Sequence, residues 1–236
     1  MKLDNEATLY AAISSYSNVT KTTRTEESLH IMIVSSDNSQ TYSESVDFGY
    51  VASSVVGLSK TGKVILGGFY RKDLSKNLVG SYMSILDPQR EELTFDTIGF
   101  PKDYYSGKGM SGFMSRIPAA SAYETNADCI MEYDDGSLLL LGEMRTYIQY
   151  HDPKGGSYWN FFARNIPAIF ADSNGHIVNF ETINKNQMCV MTFFPTTHFL
   201  KAVGFSYTPI MYNNKVHLFF CDVADNYRGK SNLVSK

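Results

Sequence analysis

Glu143 is the residue whose position most suggests acid–base chemistry. It follows four leucines and a glycine, over 138–142, so its carboxylate is expected to be partly withdrawn from water. Burial disfavours the charged form and raises the pKa of a carboxyl group, which suits a general acid. An ion pair is the alternative, with Arg145 or with Arg71, which together with Lys72 follows a similar strand earlier in the chain. Glu143 is therefore either a candidate catalytic acid or a paired structural residue.

The sequence does not single out a second acid as a catalytic partner for Glu143. A glycoside hydrolase needs two carboxyl groups roughly 5–10 Å apart across the scissile bond. Asp134 and Asp135 are adjacent and lie where a hairpin requires turn-forming residues, which accounts for both. Asp222 and Asp225 are further candidates, although their polar surroundings are typical of exposed loops.

The histidines and cysteines show no metal or nucleophile motif. The five histidines have no H-x-x-x-H spacing, and the three cysteines include no C-x-x-C pair. No G-x-S-x-G stands near a plausible triad, and the glycine-rich segment 107–112 lacks the lysine spacing of a phosphate-binding loop. We therefore expect neither a metal ion nor a cofactor.

Aromatic residues are the other feature with binding chemistry. Phe, Trp and Tyr make up 14% of the chain, and many cluster in or beside two segments that resemble insertions, 100–126 and 151–158. Aromatic faces stack on sugar rings or form hot spots in protein interfaces. Strand aromatics pack by default, so the loop pair Tyr104-Tyr105 is the better candidate. The predicted binding residues are Tyr104, Tyr105, Tyr158, Trp159, Arg71 and Arg145.

The candidate residues are expected to lie on β-strands and in the turns between them, because the sequence shows almost no helical periodicity. Short β-branched and aromatic runs recur after turns of Gly, Asp or Asn. Those residues tolerate the positive φ angles of tight hairpins. The clearest strands are Val64–Phe69, Leu138–Glu143, His176–Phe180 and Val216–Phe220. The chain is therefore predicted to be all-β.

The spacing of the turns indicates an internal repeat. Gly62, Gly136 and Asn214 are 74 and 78 residues apart, and Gly175 lies 39 residues from each of the last two. We interpret this as a unit of two hairpins, the first turning at Gly62, Gly136 or Asn214 and the second at Asp87-Pro88 or Gly175. Two hairpins form a four-stranded antiparallel sheet, the blade of a β-propeller.

The N-terminal region fits the same scheme. A strand over 29–34 and a strand over 41–48 flank the turn segment Ser35 to Gln40. With Thr41-Tyr42, this turn resembles the Asp-box hairpin S-x-D-x-G-x-T-W of sialidase-type propellers, with Ser39 in place of the glycine and Tyr42 in place of the tryptophan. In that family the box is a folding element, so the resemblance concerns the fold rather than the activity.

The repeats predict one propeller-like domain over 1–236. Nearly complete blades span 50–100 and 127–184, and half-repeats lie at 29–48 and 207–223. Pairing of the two half-repeats would close only three blades, fewer than the usual four to eight. The chain is then part of a longer protein, or the segments 7–17 and 187–206 form a degenerate blade, or the sheets stack as a β-sandwich.

Several segments within residues 50–184 form a recognisable pattern: Gly68-Phe69-Tyr70, Ile85-Leu86-Asp87, Asp134 through Glu143, Tyr158-Trp159-Asn160 and Ile169 to Gly175. This pattern resembles a family of uncharacterised bacterial proteins with propeller-like repeats. The resemblance implies a six- or seven-bladed-propeller-like fold and a secreted or envelope location, but no established activity.

The composition of the chain bears on which partners it binds and on where in the cell it is located. The net charge of −3 gives no basic surface for nucleic acid. No apolar run approaches the roughly 18 residues of a membrane helix, so no membrane insertion is expected. The N-terminus has no apolar stretch typical of a secretory signal, so the sequence as given favours the cytoplasm, in contrast to the family resemblance.

Two functions remain open from the sequence. The first is a non-catalytic binding or scaffold module that contacts a protein or glycan through its aromatic insertions and assembles with another chain or copy. The second is a carbohydrate-active enzyme, a glycoside hydrolase or sialidase-like protein, that uses a central carboxylate such as Glu143. A deep pocket with convergent carboxylates would favour the enzyme, and an aromatic surface would favour the module.

Overall fold

The structure is a computed structural model that describes residues 2–3, 8–17, 26–35, 38–45, 49–71, 78–101, 124–151, 156–185, 187–191 and 206–220. All of its regular elements are β-strands, as the sequence predicted. The first sheet is antiparallel and follows chain order. Its strands are β1 (Lys2–Leu3), β2 (Leu9–Ser17), β3 (Glu26–Val34) and β4 (Ser39–Ser45).

The second sheet is a four-stranded antiparallel meander, also in chain order. Its strands are β5 (Tyr50–Leu58), β6 (Val64–Arg71), β7 (Gly80–Asp87) and β8 (Glu92–Gly99). The two central strands, β6 and β7, are buried along nearly their whole length. A strand buried on both faces needs apolar or small residues at every position, which explains the continuous run in β6.

The third sheet is built around one long strand that changes partners. The first half of β10 pairs with β12 and β9, and its second half pairs with β11, which also pairs with β14. The strands are β9 (Glu124–Glu132), β10 (Leu138–His151), β11 (Ser157–Ala163), β12 (Ile166–Ala171), β13 (Ile177–Ile183) and β14 (Gln187–Met191). A separate hairpin consists of β15 (Tyr207–Tyr212) and β16 (Lys215–Phe220).

The chain divides into two compact units. Unit 1 comprises Met1–Tyr105, Thr125–Gly142 and Pro167–Glu181. Unit 2 comprises Ser106–Glu124, Glu143–Ile166 and Thr182–Lys236. Unit 2 therefore contains the second half of β10, and the chain leaves unit 1 immediately after Gly142.

Unit 1 is held together by two hydrophobic layers, one on each face of the second sheet. Leu29 and Ile31 of β3 pack against Val64 and Leu66 on one face. On the other face Ile65, Phe69, Met83 and Ile85 pack against four residues of β10 and β12: Leu138, Leu140, Ile169 and Ala171. The alternation of side chains along β6 places neighbouring residues in different layers. Three sheets thus pack face to face in this unit.

The predicted hairpin turns are confirmed. Gly62 lies between β5 and β6, Gly136 between β9 and β10, and Gly175 between β12 and β13, with φ angles of 82°, 83° and 87°. Asn213 and Asn214 join β15 to β16 with φ angles of 49° and 56°, as a type I′ turn requires. The turns at Gly136 and Gly175 belong to strands of one sheet, as the repeat predicts.

Replacing Gly136 with valine should lower the free energy of unfolding by about 1–3 kcal/mol, because a β-branched residue is strained at positive φ. A Cβ atom at this position would also lie 3.2 Å from Cβ of Ser173. Gly62→Val is the matched comparison: its φ is nearly the same, but no atom would lie within 4 Å of its Cβ, so it should show the backbone strain alone and lose less stability than Gly136→Val. Urea denaturation followed by circular dichroism measures the free energy of unfolding of both variants. Equal stability of Gly136→Val and the wild type would contradict the assigned turn.

The two ends of the predicted repeat contribute strands to different sheets. Strand β2, within segment 7–17, pairs with β3, and β14, at the start of segment 187–206, pairs with β11. The predicted half-repeat at 29–48 includes most of β3 and all of β4 in the four-stranded first sheet, and residues 192–205 lie outside the described residues. Within the described residues, β15 and β16 pair only with each other, and none of the sheets closes into a ring.

No helix long and apolar enough to cross a membrane occurs in the described part of the chain.

Candidate functional site

A buried cluster of charged side chains surrounds Glu143 in unit 2. The Glu143 side chain has no exposed surface, and its Oε1 accepts a hydrogen bond from Nζ of Lys185, which is equally buried. Its Oε2 accepts hydrogen bonds from Nε of Arg145 at 2.6 Å and from Oγ of Ser206 at 2.7 Å. The alternative of an ion pair with Arg145 is therefore what the structure contains.

The elements around Glu143 explain why these groups meet. Glu143 and Arg145 are two residues apart in β10, so their side chains lie on the same face of the strand. Lys185 lies between β13 and β14, and Ser206 directly precedes β15. Each is far from Glu143 in sequence, by 42 and 63 residues respectively.

Ser206 occupies an unusual backbone conformation at the edge of this cluster. Its φ is 124°, a region that side-chain-bearing residues rarely adopt and that costs on the order of 1–3 kcal/mol. The backbone N–H of Ser206 donates to Oε1 of Gln187 at 3.0 Å, while its hydroxyl donates to Glu143. These two hydrogen bonds hold Ser206 in place, so the strain is offset by the cluster that it completes.

The geometry of the cluster determines the chemistry open to Glu143. A general acid must be within hydrogen-bond reach of the group that it protonates. Both oxygens of Glu143 accept hydrogen bonds from protein side chains, and the side chain is inaccessible to solvent. In this arrangement the carboxylate compensates the charges of Lys185 and Arg145 and ties β10 to the segments on either side of β14.

Unit 2 also presents two aromatic faces, one on each side of the β10–β11–β14 strands. Because Tyr147 pairs with Phe161 and Gln149 with Trp159, their side chains share one side. The ring centroids of Tyr147 and Trp159 are 5.5 Å apart, and those of Tyr147 and Phe161 are 6.1 Å apart. Tyr147, Trp159 and Phe161 form what we call the tryptophan face.

The opposite side carries a more exposed apolar surface. The rings of Tyr150 and Tyr158 are stacked at 5.2 Å with an interplanar angle of 11°. Met188 and Val190 of β14 lie on the same side, since they pair with Phe162 and Asn160 of β11. The exposed fractions of the four residues Tyr150, Tyr158, Met188 and Val190, which we call the tyrosine face, are 36%, 37%, 55% and 57%.

The predicted binding residues are placed as follows. Tyr158 and Trp159 lie on opposite sides of β11, one on each face. Arg145 belongs to the Glu143 cluster, and Arg71 lies at the end of β6 in unit 1, half-buried. Tyr104 and Tyr105, the preferred loop pair, lie outside the described residues, as does the turn over 152–155 within the predicted insertion 151–158.

Several functional candidates have no counterpart in the sequence predictions. Lys185 stands in a polar stretch typical of a loop, and nothing local indicates that it is buried. Met188 and Val190 were detectable as alternate members of a short apolar strand, but the sequence does not show which face of that strand is left exposed. Within the described ranges, no group of three or more His, Cys, Asp or Glu side chains is arranged to hold a metal ion.

Comparison with known proteins adds no family. The sequence matches no protein-family model, and it matches no curated protein.

Proposed function

We propose that this chain is a non-catalytic binding module and that the tyrosine face binds a protein partner. The observation that carries the proposal is the concentration of exposed apolar side chains on one side of the β11–β14 strands. Exposed apolar patches on folded proteins mark interaction surfaces. Among the residues that the structure describes, the large exposed apolar residues of unit 2 are Tyr147, Tyr150, Tyr158, Met188, Val190, Ile210, Tyr212 and Phe219, whereas those of unit 1 are Ile13 and Val178.

The fixed arrangement of the two tyrosine rings supports this role. The stacked rings of Tyr150 and Tyr158 are already fixed against each other, so little side-chain entropy remains to be lost on binding. Tyrosine is enriched among the residues that dominate binding energy in protein interfaces. The rings are therefore suited to act as anchors.

The composition of the face favours a protein over a glycan. Glycans need hydrogen-bonding groups around the aromatic platform, but the most exposed members of this face, Met188 and Val190, are aliphatic. Asn160 lies on the same side opposite Val190, and its Oδ1 is buried. Apolar side chains of a protein partner complement such an aliphatic surface. The stacked rings provide the centre of the interface and the two aliphatic residues enlarge it.

The experiment is a selection of peptides from a random display library on the immobilised full chain, followed by affinity measurement. Enriched peptides should carry apolar anchors, and Tyr158→Ala should weaken their binding by about 30-fold, the equivalent of a hot-spot loss of about 2 kcal/mol. Val178→Ala is the matched control, because Val178 is an exposed apolar residue of unit 1. It should leave affinity unchanged.

Two results would overturn the protein assignment. One is enrichment of peptides whose affinity is the same for wild type and Tyr158→Ala. The other is binding on a glycan array that Tyr158→Ala abolishes, which would assign the face to a carbohydrate instead. Sedimentation of the wild-type chain tests self-association, and a dimer that Tyr158→Ala dissociates would make the partner a second copy.

We also propose that unit 1 is built from propeller-like blades. The support is its face-to-face packing of four-stranded sheets, with hairpin turns at equivalent positions in two of them. A β-sandwich is the competing architecture, because sandwiches also pack antiparallel sheets through apolar faces. A crystal structure distinguishes them: sheets arranged around a common axis support the blades, and parallel layers with no common axis contradict them.

A further inference from the structure

Three hairpin turns of unit 1 surround a crevice of about 440 Å³. The turns join β5 to β6, β9 to β10, and β12 to β13. Its volume lies within the roughly 300–1,000 Å³ that is typical of small-molecule sites. The crevice is separate from the faces proposed above, since every lining residue belongs to unit 1.

The floor of the crevice is aliphatic and its rim is polar. Ile65, Ile85 and Leu138 form the floor, and each is at most 5% exposed. The rim supplies both hydrogen-bond donors and acceptors from hydroxyl, carboxylate, ammonium and amide groups. These rim residues are Ser59, Lys60, Thr61, Lys63, Glu132, Asp134, Asp135, Ser173 and Asn174.

Hydrogen bonds hold the rim in a defined geometry. Nζ of Lys60 lies 2.8 Å from Oδ1 of Asp134, and the backbone N–H of Lys60 donates to Oε2 of Glu132 at 2.6 Å. The hydroxyl and backbone N–H of Ser137 both donate to Oδ1 of Asp135, which lowers the pKa of that carboxyl group. The hydrogen bond to Asp134 raises the pKa of Lys60. These hydrogen bonds preorganise the rim.

The third turn is anchored as well. The hydroxyl of Thr94 donates to the backbone carbonyl of Asn174 at 3.0 Å, and Oδ1 of Asp172 accepts from the N–H groups of Asn174 and His176. Ser173 is exposed at the tip of this turn. It faces the neighbouring turn, because its Cβ is 3.2 Å from the position that a Cβ of Gly136 would occupy.

We propose that this crevice binds a neutral polyhydroxylated small molecule of the mono- or disaccharide class. The rim has three carboxylates and two lysines, so neither an anion nor a cation is strongly favoured. Sugar hydroxyl groups donate and accept at once, which matches the mixture of carboxylates, lysines and amide on the rim. The aliphatic floor formed by Ile65, Ile85 and Leu138 is nearly buried and offers only a small apolar surface to the C–H face of a sugar ring, so the hydrogen-bonding groups of the rim supply most of the contacts.

The test is isothermal titration calorimetry of the full chain with glucose, galactose, N-acetylglucosamine, maltose and lactose as probes, and with inorganic phosphate and putrescine as charged competitors. At least one sugar should bind with a stoichiometry of about one, and Ser173→Trp should weaken that sugar's binding at least about tenfold by filling the crevice. Thr61→Val, which removes one rim hydroxyl, should weaken it by a smaller factor.

Gln89→Trp is the matched control, because Gln89 is exposed in the β7–β8 turn and does not line the crevice. It should bind the sugar as the wild type does, and circular dichroism should show that all three variants fold. Three outcomes would overturn the proposal: no probe sugar binds, Ser173→Trp binds as tightly as the wild type, or phosphate or putrescine binds more tightly than every sugar. If no peptide binds the tyrosine face, the proposed function fails, but the sugar titration still tests the crevice independently.

Discussion

Replacing Glu143 with glutamine should lower the free energy of unfolding by about 3–5 kcal/mol, the usual cost of removing one partner of a buried ion pair. The reason is that Lys185, whose side chain has no exposed surface, loses the carboxylate that compensates its charge. Arg145 is affected less, because 15% of its side chain is exposed and reaches water. The chain has a single tryptophan, Trp159 in β11, so its fluorescence in urea reports directly on the unfolding of unit 2.

The double variant Glu143→Gln/Lys185→Met is the control that identifies the cause. Removing both members of a buried pair leaves no uncompensated charge in the interior, so this variant should be more stable than Glu143→Gln alone. If the two side chains did not interact, the losses from the two substitutions would add, and the double variant would be less stable than either single variant. A loss below about 1 kcal/mol for Glu143→Gln, the range of exposed ion pairs, would contradict the buried cluster.

The local features of this fold were predictable because they depend on neighbouring residues. Each of these hairpins turns through a residue at positive φ, which Gly, Asn and Asp adopt most readily, so Gly62, Gly136, Gly175 and Asn214 reveal their turns in the sequence. The buried central strand β6 is likewise evident from its uninterrupted apolar and glycine composition.

The exchange of partners along β10 was not predictable. Its first half follows a four-leucine pattern and its second half alternates, but both halves are consistent with one continuous strand. Which strands pair with each half depends on contacts from distant parts of the chain. The register places Tyr158 and Trp159, two of the predicted binding residues, on opposite faces, because adjacent residues of a strand point to opposite sides of the sheet.

The candidate site was predictable only in part, for the same reason. Glu143 and Arg145 share a strand face because they are two residues apart, and the sequence suggested their ion pair. Lys185 and Ser206 reach the same carboxylate from 42 and 63 residues away. No local pattern marks either residue, since the burial of a lysine is determined by the tertiary structure rather than by its neighbours in sequence.

The pairing of glycine with tyrosine between β6 and β7 is the other feature with a large expected effect on stability. Gly68 lies opposite Tyr82, and Tyr70 lies opposite Gly80, so each ring extends over the glycine on the other strand. A Cβ on Gly68 would lie 2.1 Å from the backbone oxygen of Ser53 and 2.7 Å from the hydroxyl oxygen of Tyr82. Neither position tolerates an additional carbon atom without movement of the backbone.

Gly68→Ala should therefore lower the free energy of unfolding by about 3 kcal/mol, the upper end of the usual cost of overpacking, because the backbone at Ser53 and the buried Tyr82 ring must both shift. Gly57→Ala is the matched control: Gly57 is also a strand glycine of the same sheet, but the nearest atom to its Cβ would be 3.5 Å away, on Ile130. Since alanine restricts the unfolded chain more than glycine does, Gly57→Ala should be neutral or stabilising by up to about 1 kcal/mol. Urea denaturation followed by far-ultraviolet circular dichroism compares the two variants. Equal stabilities would show that the glycine at position 68 is not required by close packing between the central strands.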